Sequence, residues 1–161
     1  MNYAVDQKKQ ARDYAVPIET VIPLSATVEE ALADLRKKHI QQKIIYFYVV
    51  DDRRKLKGVV STRQLLLAEP DRKIEEMMQD SVIKIRGDQT LKEVMELFSL
   101  RPLLALPVVD EEERLLGMID VQMLTEESID VADMRSRSDL FQVIGLALED
   151  GKKIPFFQSY C

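Results

Sequence analysis

The stretch Ser25-Ala26-Thr27-Val28-Glu29-Glu30-Ala31-Leu32 returns 63 residues later as Asp88-Gln89-Thr90-Leu91-Lys92-Glu93-Val94-Met95. Two further stretches are also repeated. Val49-Val50-Asp51 returns as Val108-Val109-Asp110, and Gly58-Val59-Val60 returns as Gly117-Met118-Ile119. An internal repeat of this length indicates two copies of one structural unit. We therefore expect two matched halves that enclose a cleft.

Each copy predicts the same order of elements, β-α-β-β-α. Runs rich in branched apolar residues predict strands at residues 20–24, 44–50 and 56–60, and again at 81–85, 104–109 and 115–119. The second helix of each copy carries Leu65 and Leu66, or Met123 and Leu124. Between the copies, residues 69–72 break the chain and residues 74–78 predict a short helical connector.

The first helix of each copy begins with the same capping signal. Thr27 is followed three residues later by Glu30, and Thr90 by Glu93, which is the spacing of a capping box. Apolar residues then follow at helical spacing, namely Val28, Ala31, Leu32 and Leu35, and Leu91, Val94, Met95 and Phe98. Both helices are therefore predicted to bury one face.

The two copies differ in length between the first helix and the next strand. Thr27 and Thr90 are 63 positions apart, whereas Gly58 and Gly117 are 59 apart. The first copy thus has four extra residues, and residues 38–42 are the natural place for them.

Composition excludes several classes of function. The chain has 161 residues, 46% of them apolar, and its net charge of −5 disfavours nucleic-acid binding, which needs a basic surface. One cysteine, Cys161, cannot form an intrachain disulfide or a thiolate zinc site. One histidine, His39, leaves little material for a nucleophile and its base. We expect a cytoplasmic protein that is not an enzyme.

The doubled pattern over residues 21–126 resembles a tandem CBS domain pair. The resemblance implies an α/β (α+β) fold of two β-α-β-β-α CBS repeats packed with pseudo-twofold symmetry, plus a C-terminal connecting helix. The predicted divisions are an N-terminal extension (residues 1–19), repeat 1 with its connector (20–79), repeat 2 (80–127) and a connecting helix with a juxtamembrane tail (128–161). Such pairs commonly form homodimers and regulate an attached protein by binding adenine nucleotides or cations.

A narrower resemblance is to the cytosolic part of MgtE-type magnesium transporters. It rests on residues 27–32, 45–51 and 103–111, and on a helix predicted at residues 136–148, which is apolar on more than one face. Residues 152–157 then mix basic and aromatic side chains, as near a membrane interface. The resemblance implies a transmembrane transport domain C-terminal to this chain and a location at the cytoplasmic face of the cell membrane.

Nucleotide-binding members of the CBS family carry the motif Gly-apolar-apolar-Ser/Thr-x-x-Asp. The first copy matches it with Gly58, Ser61 and Gln64, so that an amide replaces the carboxylate. In the second copy, Gly117 is followed by Asp120 and Met123, and a carboxylate at the hydroxyl position would repel phosphate. Gly58, Ser61, Gln64 and Gly117 are therefore the candidate nucleotide residues, and both glycines also have a purely structural interpretation.

Magnesium is the other ligand that the resemblance implies. Mg²⁺ takes oxygen ligands and keeps several waters, so facing carboxylates suffice. The candidates are Asp120, Glu126, Glu127, Asp130, Asp133 and Asp139. The connecting helix of the family typically opens with an acidic run, whereas Arg135 and Arg137 stand there in this chain. These arginines are alternative partners for Glu126 or Glu127.

Three hypotheses follow. The first is a cytosolic regulatory CBS pair of an MgtE-like divalent-cation transporter that senses cations, adenine nucleotides or both. The second is a free-standing, nucleotide-binding CBS protein that regulates an enzyme in trans. The third is a structural dimerisation module without a ligand.

Overall fold

Two small sheets face each other across a shared apolar layer, and helices cover their outer faces. The structure is a computed structural model that describes residues 9–42, 44, 46–101, 103–122 and 124. Its elements are α1 (Ala11–Tyr14), β1 (Val21–Pro23), α2 (Val28–Lys37), β2 (Phe47–Val50), β3 (Leu56–Val60), α3 (Thr62–Leu67), α4 (Ile74–Met77), β4 (Ile85–Arg86), α5 (Leu91–Leu100), β5 (Ala105–Val109) and β6 (Leu115–Asp120).

The two sheets have the same topology, which confirms the predicted duplication and the mixed α+β fold. In each sheet the middle strand is parallel to the first strand and antiparallel to the third, in the orders β1-β2-β3 and β4-β5-β6. The helices α2 and α5 both begin with the predicted capping box, at Thr27 and Thr90. The repeat seen in the amino-acid sequence is therefore also a repeat of the structure.

The first strand of the second copy is shorter than predicted. The prediction was residues 81–85, but β4 covers only Ile85–Arg86. In the first sheet, the Tyr48 amide donates to the Thr20 carbonyl at 2.9 Å, just before β1. The matching residue in the second sheet is Pro107, which has no N–H to donate. The other parallel-paired strands, β1, β2 and β5, also begin one to three residues later than predicted.

Alternating side chains of the middle strands separate three apolar clusters. Phe47 and Val49 pack beneath α2, α3 and α4, whereas Tyr48 and Val50 face the other sheet. In the second sheet, Leu106 and Val108 pack outward, whereas Ala105 and Val109 face inward. This period of two explains why both strands appear as continuous apolar runs, since each is covered on both faces.

The two copies exchange their short leading helices. Ala11 of α1 is fully buried in the core of the second copy, and Val16 pairs with Met118 of β6. In the same way, α4 packs into the core of the first copy and Gln79 pairs with Val59 of β3. Residues 10–16, predicted as part of an extension, thus pack on repeat 2; the domain boundaries themselves remain predictions.

The two β-hairpins also bond to each other, at what we call the hairpin seam. The Leu56 amide donates to the Glu113 carbonyl at 3.0 Å, and the Leu115 amide donates to the Arg54 carbonyl at 2.9 Å. Arg54 and Glu113 are 59 positions apart and both adopt a positive φ, at 63° and 67°. The seam therefore lies on the pseudo-twofold axis of the pair.

The connecting helix predicted at residues 136–148, the tail at 152–157 and Met123 lie outside the described residues. Within residues 9–124 as described, no helix is long and apolar enough to cross a bilayer.

Candidate functional site

Gly58 and Gly117 lie where the exchanged segments cross the third strand of each sheet. A Cβ at Gly58 would lie 2.7 Å from the Gln79 carbonyl oxygen, and one at Gly117 would lie 2.5 Å from the Val16 carbonyl oxygen. Both distances are far below van der Waals contact. Glycine is therefore required at both positions by close approach of a neighbouring backbone, whatever ligand the clefts bind.

Ser61 and Gln64 form a hydrogen-bonded unit at the start of α3. The Ser61 hydroxyl oxygen accepts from the Gln64 amide N–H at 3.1 Å, and Gln64 Oε1 accepts from the Ser61 N–H at 3.0 Å. Gln64 Nε2 also donates to the Met77 carbonyl at 3.3 Å. A carboxylate at this position could accept but not donate. Glutamine thus ties α3 to the exchanged helix α4, while one N–H and one lone pair of its amide remain for a ligand.

Gln64 lines a pocket between α3 and α4, which we call the α3/α4 pocket. Its volume is about 330 Å³, and Arg63, Arg72 and Met77 are among its other lining residues. Both arginines are exposed, and neither forms an ion pair within the described ranges. Glu76 is the one carboxylate in the lining, so the two arginines outnumber it and the pocket suits a phosphate-bearing ligand.

The described part of the second copy carries different groups at two of these positions. Asp120 occupies the position of Ser61, and its Oδ1 accepts from the Gln122 N–H at 2.5 Å. Gln122 occupies the position of Arg63, so a carboxylate and an amide stand where the first copy has a hydroxyl and a guanidinium. The two copies therefore differ in charge at these positions, and the first is the better suited to an anion.

Tyr46 adds a further difference between the copies. Its side chain is buried between the sheets, and its ring meets that of Tyr48 edge-on at a centroid distance of 6.2 Å. Burial raises the pKa of Tyr46 to about 12, and a hydrogen bond with the Leu104 backbone partly offsets that rise. The matching residue in the second copy is Ala105, which leaves only a methyl group in that position.

Of the candidate magnesium ligands, Asp120 alone lies in the described part of the chain. Glu126, Glu127, Asp130, Asp133 and Asp139 lie outside it. Among the described residues, no three His, Cys, Asp or Glu side chains come together in a way that could hold a metal ion. The magnesium site therefore stays a prediction.

The acidic residues that open the hairpin turns have local structural roles. Asp51 Oδ1 accepts from the Arg53 and Lys55 amides, both at 2.9 Å, and the hydrogen bond from Lys55 is the main reason why the pKa of Asp51 is lowered. At Asp110, desolvation alone would raise the pKa. The hydrogen bonds from Arg114 and Glu112 and the charge of Arg114 together outweigh it, so the pKa of Asp110 is also lowered. Both carboxylates close turns.

Sequence reasoning found the glycines, Ser61 and Gln64, but it missed Arg63, Arg72 and Tyr46. Arg63 stands at an unspecified position of the motif, and Arg72 lies in what the sequence presents as a chain break. The available signal for Arg63 and Tyr46 was that each is replaced by a different chemical type at its repeat partner, Gln122 and Ala105.

Comparison with known proteins identifies the fold. The family model for the CBS domain matches twice, at residues 11–71 and 74–130. The magnesium transporter MgtE of Thermus thermophilus is 32% identical over 145 residues, which is 89% of this chain and 31% of that protein. MgtE of Bacillus subtilis is 35% identical over 113 residues, which is 70% of this chain and 25% of that protein.

Solved structures agree. A crystal structure of the cytosolic domain of the Mg²⁺ channel MgtE in complex with ATP superposes with a TM-score of 0.67 at 36% identity, over 74% of this chain and 48% of that one. The soluble part of a magnesium transporter superposes with a TM-score of 0.66 at 26% identity, over 78% of this chain and 49% of that one. The chain thus spans less than a third of the two MgtE proteins and about half of these crystallised domains.

Proposed function

Since the chain belongs to the CBS domain family, we propose that it is the cytosolic regulatory module of an MgtE-like magnesium transporter. We assign adenine-nucleotide binding to its first cleft and give the chain no catalytic role. The observation that carries the nucleotide assignment is the α3/α4 pocket, in which Arg63 and Arg72 flank Gln64. The similarity to an MgtE domain crystallised with ATP supports it.

Each group of the first cleft has a role in this proposal. Ser61 is not a lining residue of the α3/α4 pocket, but its hydroxyl accepts the N–H of Gln64, which is, and keeps its own hydrogen for a phosphate oxygen. Arg63 and Arg72 neutralise the phosphate charge, and the free lone pair of the Gln64 amide accepts a ribose hydroxyl. The second cleft binds no nucleotide, because the Asp120 carboxylate repels phosphate.

Calorimetric titration with AMP, ADP and ATP tests the nucleotide assignment. We expect one site per chain, and Arg63→Gln should weaken binding roughly tenfold, the loss of one charge-assisted hydrogen bond. The matched control is Arg36→Gln, which changes an exposed arginine of α2 that does not line the pocket. Absence of heat with all three nucleotides, or equal effects of both variants, would contradict the assignment.

The cation-sensing part of the proposal rests on the carboxylates after Asp120. Repulsion among the carboxylates of Asp120, Glu126, Asp130, Asp133 and Asp139 would disfavour a compact homodimer until Mg²⁺ binds, and binding would then favour the compact arrangement. Melting curves in millimolar Mg²⁺ should then lie above those in chelator. Equal curves would exclude sensing by this chain and leave nucleotide binding untouched.

The transporter assignment has its own test in the gene. The reading frame after codon 161 should encode several apolar stretches of about 20 residues, the length that spans a bilayer. The module would then lie at the cytoplasmic face of the cell membrane, joined to its transport domain. A stop codon at that point would favour a free-standing regulator that acts in trans.

A further inference from the structure

A second pocket lies on the outer edge of the first sheet, away from the nucleotide cleft. It is bounded by β1, the end of α2, the hairpin tip and the residues that follow α2, and its volume is about 500 Å³. It shares no lining residue with the α3/α4 pocket. We call it the edge pocket.

One wall of the edge pocket is the insertion found only in the first copy. The insertion is held against the chain before β1. Glu19 Oε2 accepts from the Gln41 and Gln42 amides at 2.9 and 3.0 Å, and Gln42 Nε2 donates to the Pro17 carbonyl at 2.6 Å. The Glu19 amide completes the unit by donating to Gln42 Oε1 at 3.2 Å. The four extra residues therefore build a fixed wall.

Among the charged residues that line the edge pocket, one cation, Arg54, and one carboxylate, Glu19, form no ion pair within the described ranges. Lys38 Nζ lies 2.7 Å from Asp34 Oδ2 and also donates to the Val21 carbonyl. Glu19 is engaged by two backbone amides. Arg54 lines the pocket, is exposed and forms no ion pair within the described ranges, and exposed His39 is a further lining residue.

The apolar residues that line the edge pocket include Val21, Pro23, Ile40 and Val50. A pocket of this volume that combines apolar side chains with one arginine outside any ion pair matches a small organic acid, in which a ring or branched chain carries one carboxylate or sulfonate that binds Arg54 and is held away from Glu19. We propose that the edge pocket is a second regulatory site, distinct from the nucleotide cleft, which binds such an acid through Arg54.

Arg54 connects this site to the second copy. Its carbonyl accepts from the Leu115 amide at 2.9 Å across the hairpin seam. A ligand held by the Arg54 side chain therefore binds at a residue whose backbone forms part of the seam between the two repeats. This proposal goes beyond nucleotide binding and does not depend on it.

The test is an amide NMR titration of the isotope-labelled chain with anilinonaphthalene sulfonate, an apolar ring system that carries one anionic group. Saturable shifts are expected at Glu19, Gln41, Gln42 and Arg54. Arg54→Gln should weaken binding roughly tenfold, the loss of one charge-assisted hydrogen bond, while Arg63→Gln in the α3/α4 pocket should leave the affinity unchanged.

Three results would overturn the proposal: no saturable shift, shifts confined to Gln64 and Met77, or equal weakening by both variants. Should Arg54→Gln fail to fold, Arg54→Lys serves in its place. It keeps the charge but loses the planar fork, and it must still weaken binding of the sulfonate. If Arg63→Gln weakens ATP binding but leaves sulfonate binding unchanged, the edge pocket and the nucleotide cleft are two different sites.

Discussion

Gly117→Ala should be the most disruptive alanine substitution among the strand glycines. The new Cβ would lie 2.5 Å from the Val16 carbonyl oxygen and 3.2 Å from the Ala15 Cβ. Neither neighbour can rotate away, because one is backbone and the other is a Cβ. The exchanged segment must therefore move off β6.

The cost follows from what that movement breaks. Val16 and Met118 exchange two backbone hydrogen bonds, each 2.9 Å long, which hold the segment to the sheet. Each contributes about 1 kcal/mol, and overpacking of a close contact costs about 1–3 kcal/mol. We therefore expect the free energy of unfolding to fall by about 2–4 kcal/mol, a large part of the 5–15 kcal/mol typical of a domain.

Urea unfolding followed by far-ultraviolet circular dichroism measures this loss, and Gly87→Ala provides the control. A Cβ at Gly87 would meet the Leu116 Cδ1 at 3.1 Å, and that side chain is 44% exposed and free to turn aside. The control should change the free energy of unfolding by less than about 1 kcal/mol. A wild-type midpoint for Gly117→Ala, or equal losses in both variants, would refute the close-approach argument.

Three further predictions concern turns and caps. Arg54→Gly should raise the free energy of unfolding by about 0.5–1 kcal/mol, because glycine adopts the φ of 63° without strain, whereas Arg53→Gly should lower it slightly in the same urea assay. Thr90→Ala removes the side-chain cap of α5 and should cost about 1 kcal/mol, measured as a lower melting temperature. Because the pKa of Asp51 is lowered on folding, its carboxylate stabilises the fold above the unfolded pKa of about 4, and this contribution is lost as the pH falls through the folded pKa. Acid titration of Asp51→Asn should therefore show a shallower loss of stability than wild type, and Asp52→Asn should follow wild type.

Local signals in the sequence predicted the parts of the fold that depend on local physics. The capping boxes at Thr27 and Thr90 both form, because hydroxyl, carboxylate and backbone amide are only three residues apart. The apolar runs form the middle strands as predicted, because this signal too lies in residues that are close together in the sequence. The predicted start of β4 was wrong because strand pairing depends on both strands. Pro107 of β5 has no N–H to donate to the chain before β4.

The exchange of α1 and α4 could not be predicted in this way. Both helices are four residues long, and neither has one of the usual capping residues, Ser, Thr, Asp or Asn, at its N-cap, where Gln10 and Lys73 stand. Their equivalence is visible only as a spacing of 63 residues between Ala11 and Ile74. Which sheet each helix covers is decided by long-range packing. The pairing of Arg63 with Arg72 in one pocket escapes sequence reasoning for the same reason.

The features to which we assign ligand binding belong to the first copy, because the two copies have diverged. Tyr46, Ser61 and Arg63 face Ala105, Asp120 and Gln122 in the second copy, and the insertion that builds the edge pocket has no counterpart there.

The exchanged helix then gives the first cleft a direct route to the second copy. Gln64 holds the carbonyl of Met77 in α4, and the chain continues from α4 through Gln79 into β4 of the second sheet. Under the proposed function, a ribose hydroxyl that donates to the free lone pair of the Gln64 amide further fixes the side chain that holds α4. Binding in the first cleft therefore changes the restraint on the strand that opens the second sheet, which is how one asymmetric site can alter the arrangement of a symmetric pair.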